Sequence, residues 1–194
     1  MSVSLQKGQK VSLEKEAGGS LTKVTAGLGW DERTTSGEEF DLDASVFAVD
    51  ASGKVPGDGW FIYFNNHDSP DGTIHHTGDN RNGAGDGDDE AIQIDLANVP
   101  ASIEELVIAV TIFEAKTRGQ NFGGVKNAFI RVCDDQTGAE LLKYELDEEF
   151  SLEEAVIFGK LYRKNGGWSF AAVGQGYNNG LEGLCADHGI GVAA

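Results

Sequence analysis

The residues of this chain best suited to chemistry lie in one short segment, from Gly78 to Glu90. Its thirteen residues include five carboxylates, two amide side chains and four glycines. Oxygen donors gathered in this way are the ligands that hard cations prefer, and glycines let the backbone turn so that carbonyls lie beside the carboxylates. Ca²⁺ fits best because it accepts roughly six to eight oxygen ligands in flexible geometry. We therefore predict a calcium site here.

The predicted ligands are the side chains of this segment that carry oxygen donors. They are Asp79, Asn80, Asp86, Asp88, Asp89 and Glu90. Candidates for an additional ligand or for support of the turn are Asn82, Gly83 and Gly85. Glu90 falls where an EF-hand counted from Asp79 needs its final glutamate, but Arg81 and Ala84 stand where a ligand and the invariant glycine belong. The segment is therefore not an EF-hand.

A second acidic element lies in the segment from Phe40 to Ser45. In a strand, the period of two places Asp41 and Asp43 on one face, where their repulsion raises a pKa or requires a cation. Asp31 is a candidate third member of this group. If the strand end lies beside the Gly78 loop, one cluster could hold more than one Ca²⁺ ion. The alternatives are an exposed polar strand face and a solvated acidic loop that only aids solubility.

Other kinds of site are disfavoured. His75 and His76 are neighbours that would point to opposite faces of a strand, so a zinc site with converging nitrogen donors is not indicated. The sequence contains no Gly-x-Ser-x-Gly, His-Glu-x-x-His or Walker lysine motif. We therefore expect a protein that is not an enzyme.

Composition narrows the class of protein further. A chain of 194 residues with 40% hydrophobic content suits a single domain over residues 1–194. The net charge of -17 repels phosphate backbones, so nucleic acid is not an expected partner. With no leader-like segment and no apolar run long enough to cross a bilayer, the expected location is the cytoplasm.

Short apolar or alternating segments between glycine, asparagine and proline residues predict nine strands. These are Leu21–Leu28, Phe40–Val49, Trp60–Phe64, Ile92–Leu96, Leu106–Phe113, Ala128–Cys133, Leu141–Leu146, Val156–Arg163 and Trp168–Val173. Helical periodicity over Leu181 to His188 predicts a helix near the carboxyl terminus, and a second short helix could begin at Ser151. The predicted fold is mainly β, a β-sandwich of two antiparallel-rich sheets with one or two short helices.

These motifs resemble the TerD family of tellurium-resistance and stress proteins. The resemblance rests first on Gly27 to Asp31, Phe40 to Ser45 and the Gly78 to Glu90 segment. It continues in Phe64-Asn-Asn, Ser69 to Gly72, Gln120 to Gly123, Phe158 to Arg163 and Val173 to Gly176. Asn82 departs from the family pattern, which commonly has threonine there, but asparagine keeps a side-chain oxygen and tolerates the same turn.

The resemblance implies a calcium-binding β-sandwich protein of the bacterial cytoplasm, associated with resistance to tellurite, phages, colicins and chemical stress. It also implies protein partners, either membrane proteins of the TerC type or other family members, and a place at the inner face of the membrane. Carried over by position, the metal ligands are Asp31, Asp41, Asp43, Asp79, Asn80, Asp86, Asp88, Asp89 and Glu90.

Three functions follow from the sequence. The first is a non-enzymatic stress protein whose Ca²⁺ ions stabilise and shape a surface for partners. The second is a module that docks on anionic lipid through calcium. The third, ranked lowest, is a metal-dependent enzyme, which would need an activated water with an acid or base, or a redox group, and the sequence shows neither.

Overall fold

The computed structural model describes residues 2–31, 37–83, 87–146, 150 and 152–191. In these ranges the chain forms twelve strands and three short α-helices. The strands are β1 (Val3–Leu5), β2 (Lys10–Ser12), β3 (Val24–Gly29), β4 (Leu42–Val49), β5 (Phe61–Ile62), β6 (Ile74–His76), β7 (Glu90–Ile94), β8 (Glu105–Ile112), β9 (Phe129–Asp134), β10 (Glu140–Glu145), β11 (Ala155–Lys164) and β12 (Gly167–Tyr177). The helices are α1 (Leu13–Ala17), α2 (Ala115–Arg118) and α3 (Gly180–Asp187).

The strands form two six-stranded sheets. The first has the order β1-β10-β9-β3-β7-β6 and the second has the order β2-β12-β11-β8-β4-β5. Neighbouring strands pair antiparallel except β1 and β10, which are parallel. The predicted β-sandwich of antiparallel-rich sheets is therefore confirmed.

Apolar side chains fill the space between the sheets and also cover the outer face of the second sheet. Along β4, Leu42, Ala44 and Val46 belong to the core between the sheets, whereas Phe47 and Val49 pack on the opposite face, in the apolar cluster that includes residues of α3. Because β4 is buried on both faces, its sequence is almost continuously apolar rather than alternating. The exceptions, Asp43 and Ser45, are therefore placed where burial makes an unpaired polar group costly.

The predicted elements agree with the structure in type and differ mainly at their ends. Each of the nine predicted strands overlaps an observed one, and α3 forms where the carboxyl-terminal helix was predicted. The alternative helix at Ser151 begins outside the described residues. Residues 152–154 are not helical and β11 begins at Ala155, because the branched and aromatic residues that follow favour a strand.

None of the helices in the described part of the chain has the length and apolar character needed to cross a membrane.

Candidate metal centre

Three carboxylates converge at the start of β4. Asp43 lies in β4, Asp41 immediately precedes this strand, and Asp79 comes from the loop that follows β6. One carboxylate oxygen from each residue lies within 4.8 Å of the other two. The structure thus brings together the Asp-x-Asp pair and the acidic loop. We call Asp41, Asp43 and Asp79 the carboxylate cluster.

The cluster is buried on one side and open on the other. The exposed fractions of Asp41 and Asp43 are 8% and 5%, whereas Asp79 is exposed. Asp41 Oδ1 is buried and has no hydrogen-bond partner among the described residues. A buried carboxylate oxygen without a donor is costly unless a cation or water satisfies it.

The pKa values of the cluster reflect its burial and its neighbouring negative charges. Burial raises the pKa of Asp43 to about 8, and the charges of Glu90, Asp41 and Asp79 add to the shift. Burial also raises the pKa of Asp41, assisted by Asp79, while the positive charges of Arg118 and Arg81 oppose the rise. A divalent cation reverses both effects, because it stabilises the ionised carboxylates that the protein alone disfavours. The oxygen-only donor set fits Ca²⁺.

Glu90 lies beside the cluster but is held by the protein itself. Its side chain is buried, and Oε2 accepts a 2.6 Å hydrogen bond from the backbone N–H of Ala44. Oε1 accepts a hydrogen bond of 3.3 Å from the backbone N–H of Asn80. The buried His76 places its Nε2 3.5 Å from Oε2. Glu90 thus connects β7, β4 and the acidic loop.

Asn80 and Asp89 fix the shape of the loop. The Oδ1 atom of Asn80 accepts hydrogen bonds of 3.2 Å from the backbone N–H groups of Asn82 and Gly83. Asn80 Nδ2 donates to Asp89 Oδ1 at 2.9 Å, and Asp89 Oδ2 accepts from the backbone N–H of Trp30 at 3.0 Å. These bonds tie the loop to the end of β3. Asn80, Asn82 and Asp89 therefore act in the described structure as supports of the loop.

Gly83 is required by both conformation and space. Its φ angle of +69° is in the left-handed region, and a Cβ atom there would lie 2.5 Å from Nε1 of Trp30. The indole of Trp30 is buried and donates through Nε1 to the carbonyl of Phe40, next to Asp41. The sequence singled out Gly83, and the structure gives it this packing role.

Two other predicted ligands have partners outside the cluster. Asp88 Oδ1 accepts from Nε of Arg131 at 2.7 Å, and Asp31 Oδ2 accepts from Nδ2 of Asn127 at 2.6 Å. Neither belongs to the three carboxylates that converge. Asp86 and Gly85 lie outside the described residues.

The cluster forms part of the wall of a cleft of about 280 Å³. The remaining described lining residues are Phe64, Arg81, Phe113 and Arg118. Phe64, Phe113 and Arg118 were not predicted as site residues, because no local pattern connects them to the acidic segments. Strand pairing brings Phe113 to the site: β4 pairs with β8, and the backbone N–H of Phe113 donates to the carbonyl of Asp41.

The fold and the site define a β-sandwich protein with a cleft whose carboxylates suit a hard cation. The chain belongs to the TerD family, since residues 1–188 match the TerD domain.

Similar proteins carry names that refer to stress. The chain is 53% identical over 190 residues to "Tellurium resistance protein TerD" of Serratia marcescens, which covers 98% of each chain. It is 48% identical over 193 residues to "General stress protein 16U" of Bacillus subtilis (strain 168), covering 99% of this chain and 100% of that protein.

A solved structure shares the fold. The crystal structure of a homologue of telluride resistance protein (TerD) from Streptomyces coelicolor A3(2) superposes with a TM-score of 0.68. The match covers 86% of this chain and 96% of that chain at 24% identity.

Proposed function

We propose that this protein is a calcium-binding stress-response protein, in which Asp41, Asp43 and Asp79 hold a Ca²⁺ ion. One observation carries the proposal: three carboxylates, two of them buried, converge within 4.8 Å, and one buried oxygen has no donor among the described residues. Such a group is unfavourable alone and becomes favourable when a divalent cation balances its charge. More than one ion is expected over the whole acidic segment.

The ion acts on stability because it binds a site that the unfolded chain does not have. A ligand that binds only the folded state stabilises it by an amount that grows with the logarithm of the ligand concentration relative to its dissociation constant. Because Glu90 and Asn80 connect the cluster to both sheets and to the loop, the bound ion also fixes the surface that the loop presents. We propose that protein partners recognise this surface.

We propose a binding role for the cleft, without a nucleophilic catalytic group. Its described side chains are carboxylates, guanidiniums and phenyl rings, with no histidine, serine or cysteine among them. A hydrolytic site would need an activated water with a positioned acid or base. The non-enzymatic role therefore remains our proposal.

The names of the relatives point to the setting in which the protein acts. Relatives that match nearly the whole chain are named for tellurium resistance and for general stress. We propose that this protein serves tellurite, phage, colicin and chemical-stress resistance in the cytoplasm, through contacts with other family members or with a membrane protein of the TerC type.

Thermal unfolding with Ca²⁺ or with a chelator tests the proposal. We expect Ca²⁺ to raise the melting temperature of the wild-type protein by several degrees, roughly the effect of a few kcal/mol on a domain of this size. The effect should be much smaller in Asp43→Asn. It should persist in Asp58→Asn, which removes the same charge from a residue that lines a different cleft. Identical melting of the wild-type protein with Ca²⁺ and with chelator would refute the proposal.

A further inference from the structure

Two guanidinium groups lie in the same cleft as the carboxylate cluster. Arg81 belongs to the loop that contains Asp79, and Arg118 is the last residue of α2. Arg81 places Nε 3.0 Å from Oδ2 of Asp79, so it neutralises part of the cluster's charge. Arg118 makes no ion pair with the cluster among the described contacts.

The ion pairs of Arg118 are weak, and its guanidinium is held in place mainly by another contact. Its Nε lies 3.6 Å from Glu38 and 3.7 Å from Glu114, whose side chains are 70% and 55% exposed. Ion pairs of this length with exposed carboxylates contribute little. The guanidinium carbon instead lies 5.2 Å from the ring centroid of Phe113, a cation–π contact that orients the group beside the cleft.

Phe113 connects this arginine to the predicted metal ligands. Its backbone N–H donates a 2.8 Å hydrogen bond to the carbonyl of Asp41. The side chain of Arg118 therefore rests on a residue that is fixed by hydrogen bonding to the backbone of the cluster. The Phe113 hydrogen bond and the cation–π contact thus hold the Arg118 guanidinium beside the cluster.

The charge of the cleft becomes positive when a divalent cation binds. Its lining contains three carboxylates and two guanidiniums, so without a bound cation it has no excess of positive charge to attract an anion. A divalent cation converts this into an excess of one positive charge. A Ca²⁺ ion held by three protein carboxylates at the mouth of a cleft keeps coordination positions for further oxygen ligands. An adjacent guanidinium is suited to pair with two oxygens of one oxyanion.

We propose that the calcium-loaded cleft binds a phosphate-like oxyanion, with one oxygen on the cation and others on the Arg118 guanidinium. This inference rests on the proposed calcium site and adds a second ligand to it. The cleft of about 280 Å³, with phenyl walls from Phe64 and Phe113, suits a small oxyanion or a single phosphoryl group better than a whole nucleotide. The phosphoryl group comes either from a free anion or from a lipid headgroup.

Calorimetry with inorganic phosphate tests this proposal directly. The calcium and phosphate concentrations are kept below those at which calcium phosphate precipitates. Ca²⁺ is first titrated into chelator-stripped protein, and phosphate is then titrated into calcium-loaded and calcium-free samples. We expect phosphate to bind the calcium-loaded protein only. Arg118→Gln should weaken phosphate binding by at least about tenfold and leave calcium affinity within about threefold.

Two further variants make the result specific. Lys116→Gln removes one positive charge from an exposed position of the same short helix, so it should leave phosphate affinity unchanged. Arg118→Lys keeps the charge and the folded helix but loses the forked geometry, and it should bind phosphate with intermediate affinity. Equal weakening in Lys116→Gln and Arg118→Gln would overturn the proposal, because a general charge effect would then explain both.

The two titrations separate failure of this inference from failure of the calcium site. Calcium binding without phosphate binding, or phosphate affinity unaffected by Arg118→Gln, overturns the oxyanion site alone. Absence of calcium binding in the first titration overturns the proposed function and this inference with it. Sedimentation with phosphatidylglycerol vesicles then assigns the source: calcium-dependent pelleting that Arg118→Gln abolishes indicates a lipid headgroup, and phosphate binding without pelleting indicates a free anion.

Discussion

The carboxylate of Glu90 in β7 accepts a 2.6 Å hydrogen bond from the backbone N–H of Ala44 in β4, and this bond connects the two sheets. The other carboxylate oxygen accepts from the backbone N–H of Asn80 in the acidic loop. Glu90 is 2% exposed; its bond to Ala44 is buried and its bond to Asn80 is partly buried. The carboxylate therefore holds the loop and β4 in register beside the cluster.

Glu90→Gln should destabilise the calcium-free protein by about 1–3 kcal/mol. An amide has one acceptor oxygen, so one of the two backbone N–H groups would face the amide NH₂ group instead of an acceptor. Urea denaturation in the presence of a chelator measures the change. Glu182→Gln, at an exposed position of α3, serves as the control and should change stability by less than about 0.5 kcal/mol. A similarly small effect of Glu90→Gln would show that the intersheet bond contributes little.

Gly83→Ala should cost more stability than Gly72→Ala. Both glycines have φ near +70°, so both substitutions carry the same backbone strain. Only at Gly83 does the added Cβ meet the indole of Trp30, whereas nothing lies within 4 Å of a Cβ at Gly72. We expect a difference of about 1–3 kcal/mol in denaturation experiments, together with weaker calcium binding in Gly83→Ala alone. Equal costs would mean that the loop moves aside from Trp30.

The stability of the calcium-free protein should fall as the pH rises from about 4 to 8. Burial, with the charges of Glu90, Asp41 and Asp79, raises the pKa of Asp43 from 3.8 to about 8, so the folded chain keeps a proton that the unfolded chain releases. At Asp43 the folded state binds more protons than the unfolded state throughout this window, and this residue therefore lowers the stability by up to about 1.4 kcal/mol per pH unit as the pH rises. Urea denaturation should show a shallower decrease in Asp43→Asn, and an identical slope would contradict the assignment.

Calcium binding at pH 7 should release a proton. Because the raised pKa keeps Asp43 mostly protonated at that pH, the ion must displace its proton in order to bind the ionised carboxylate. Calorimetry in two buffers of different ionisation enthalpy measures the number released. We expect close to one proton at pH 7 and far fewer at pH 9. No dependence on the buffer would show that Asp43 is already ionised.

Asp88→Asn should weaken the tightest calcium site much less than Asp43→Asn does. Asp88 is engaged by Arg131, which also contacts Glu140, and a Cβ at Gly27 would clash with the Asp88 carboxylate. Calcium titrations of the two variants compare them directly. An equal loss in Asp88→Asn would place this residue at the tightest site and require the Arg131 pair to open.

The strands could be predicted wherever the sequence supplied enough residues for a pattern. The long strands carry five or more residues with apolar runs or alternation, and each was predicted. Strands β1, β2 and β6 have only three residues each, and the helices α1 and α2 have five and four, too few to show a period. The three short strands are stabilised by pairing with β10, β12 and β7, which the local sequence does not reveal.

The acidic part of the site could be predicted, but not its surroundings. The period of two placed Asp41 and Asp43 together, and the composition of the loop supplied Asp79. Arg118 reaches the cleft through the pairing of β4 with β8, and Arg131 reaches Asp88 through the pairing of β3 with β9. Arg118 lies 75 residues after Asp43 and 39 after Asp79, and Arg131 lies 43 residues after Asp88, so the tertiary fold alone brings these groups together.

Calcium titration of chelator-stripped protein, compared with Asp41→Asn/Asp43→Asn, tests the central claim most directly. We expect the wild-type protein to bind Ca²⁺ with measurable heat, and the double variant to lose at least about a hundredfold in affinity, because two of the three converging carboxylates are removed. Wild-type affinity in the double variant, or no binding by the wild-type protein, would contradict the assignment of this cluster as a calcium site.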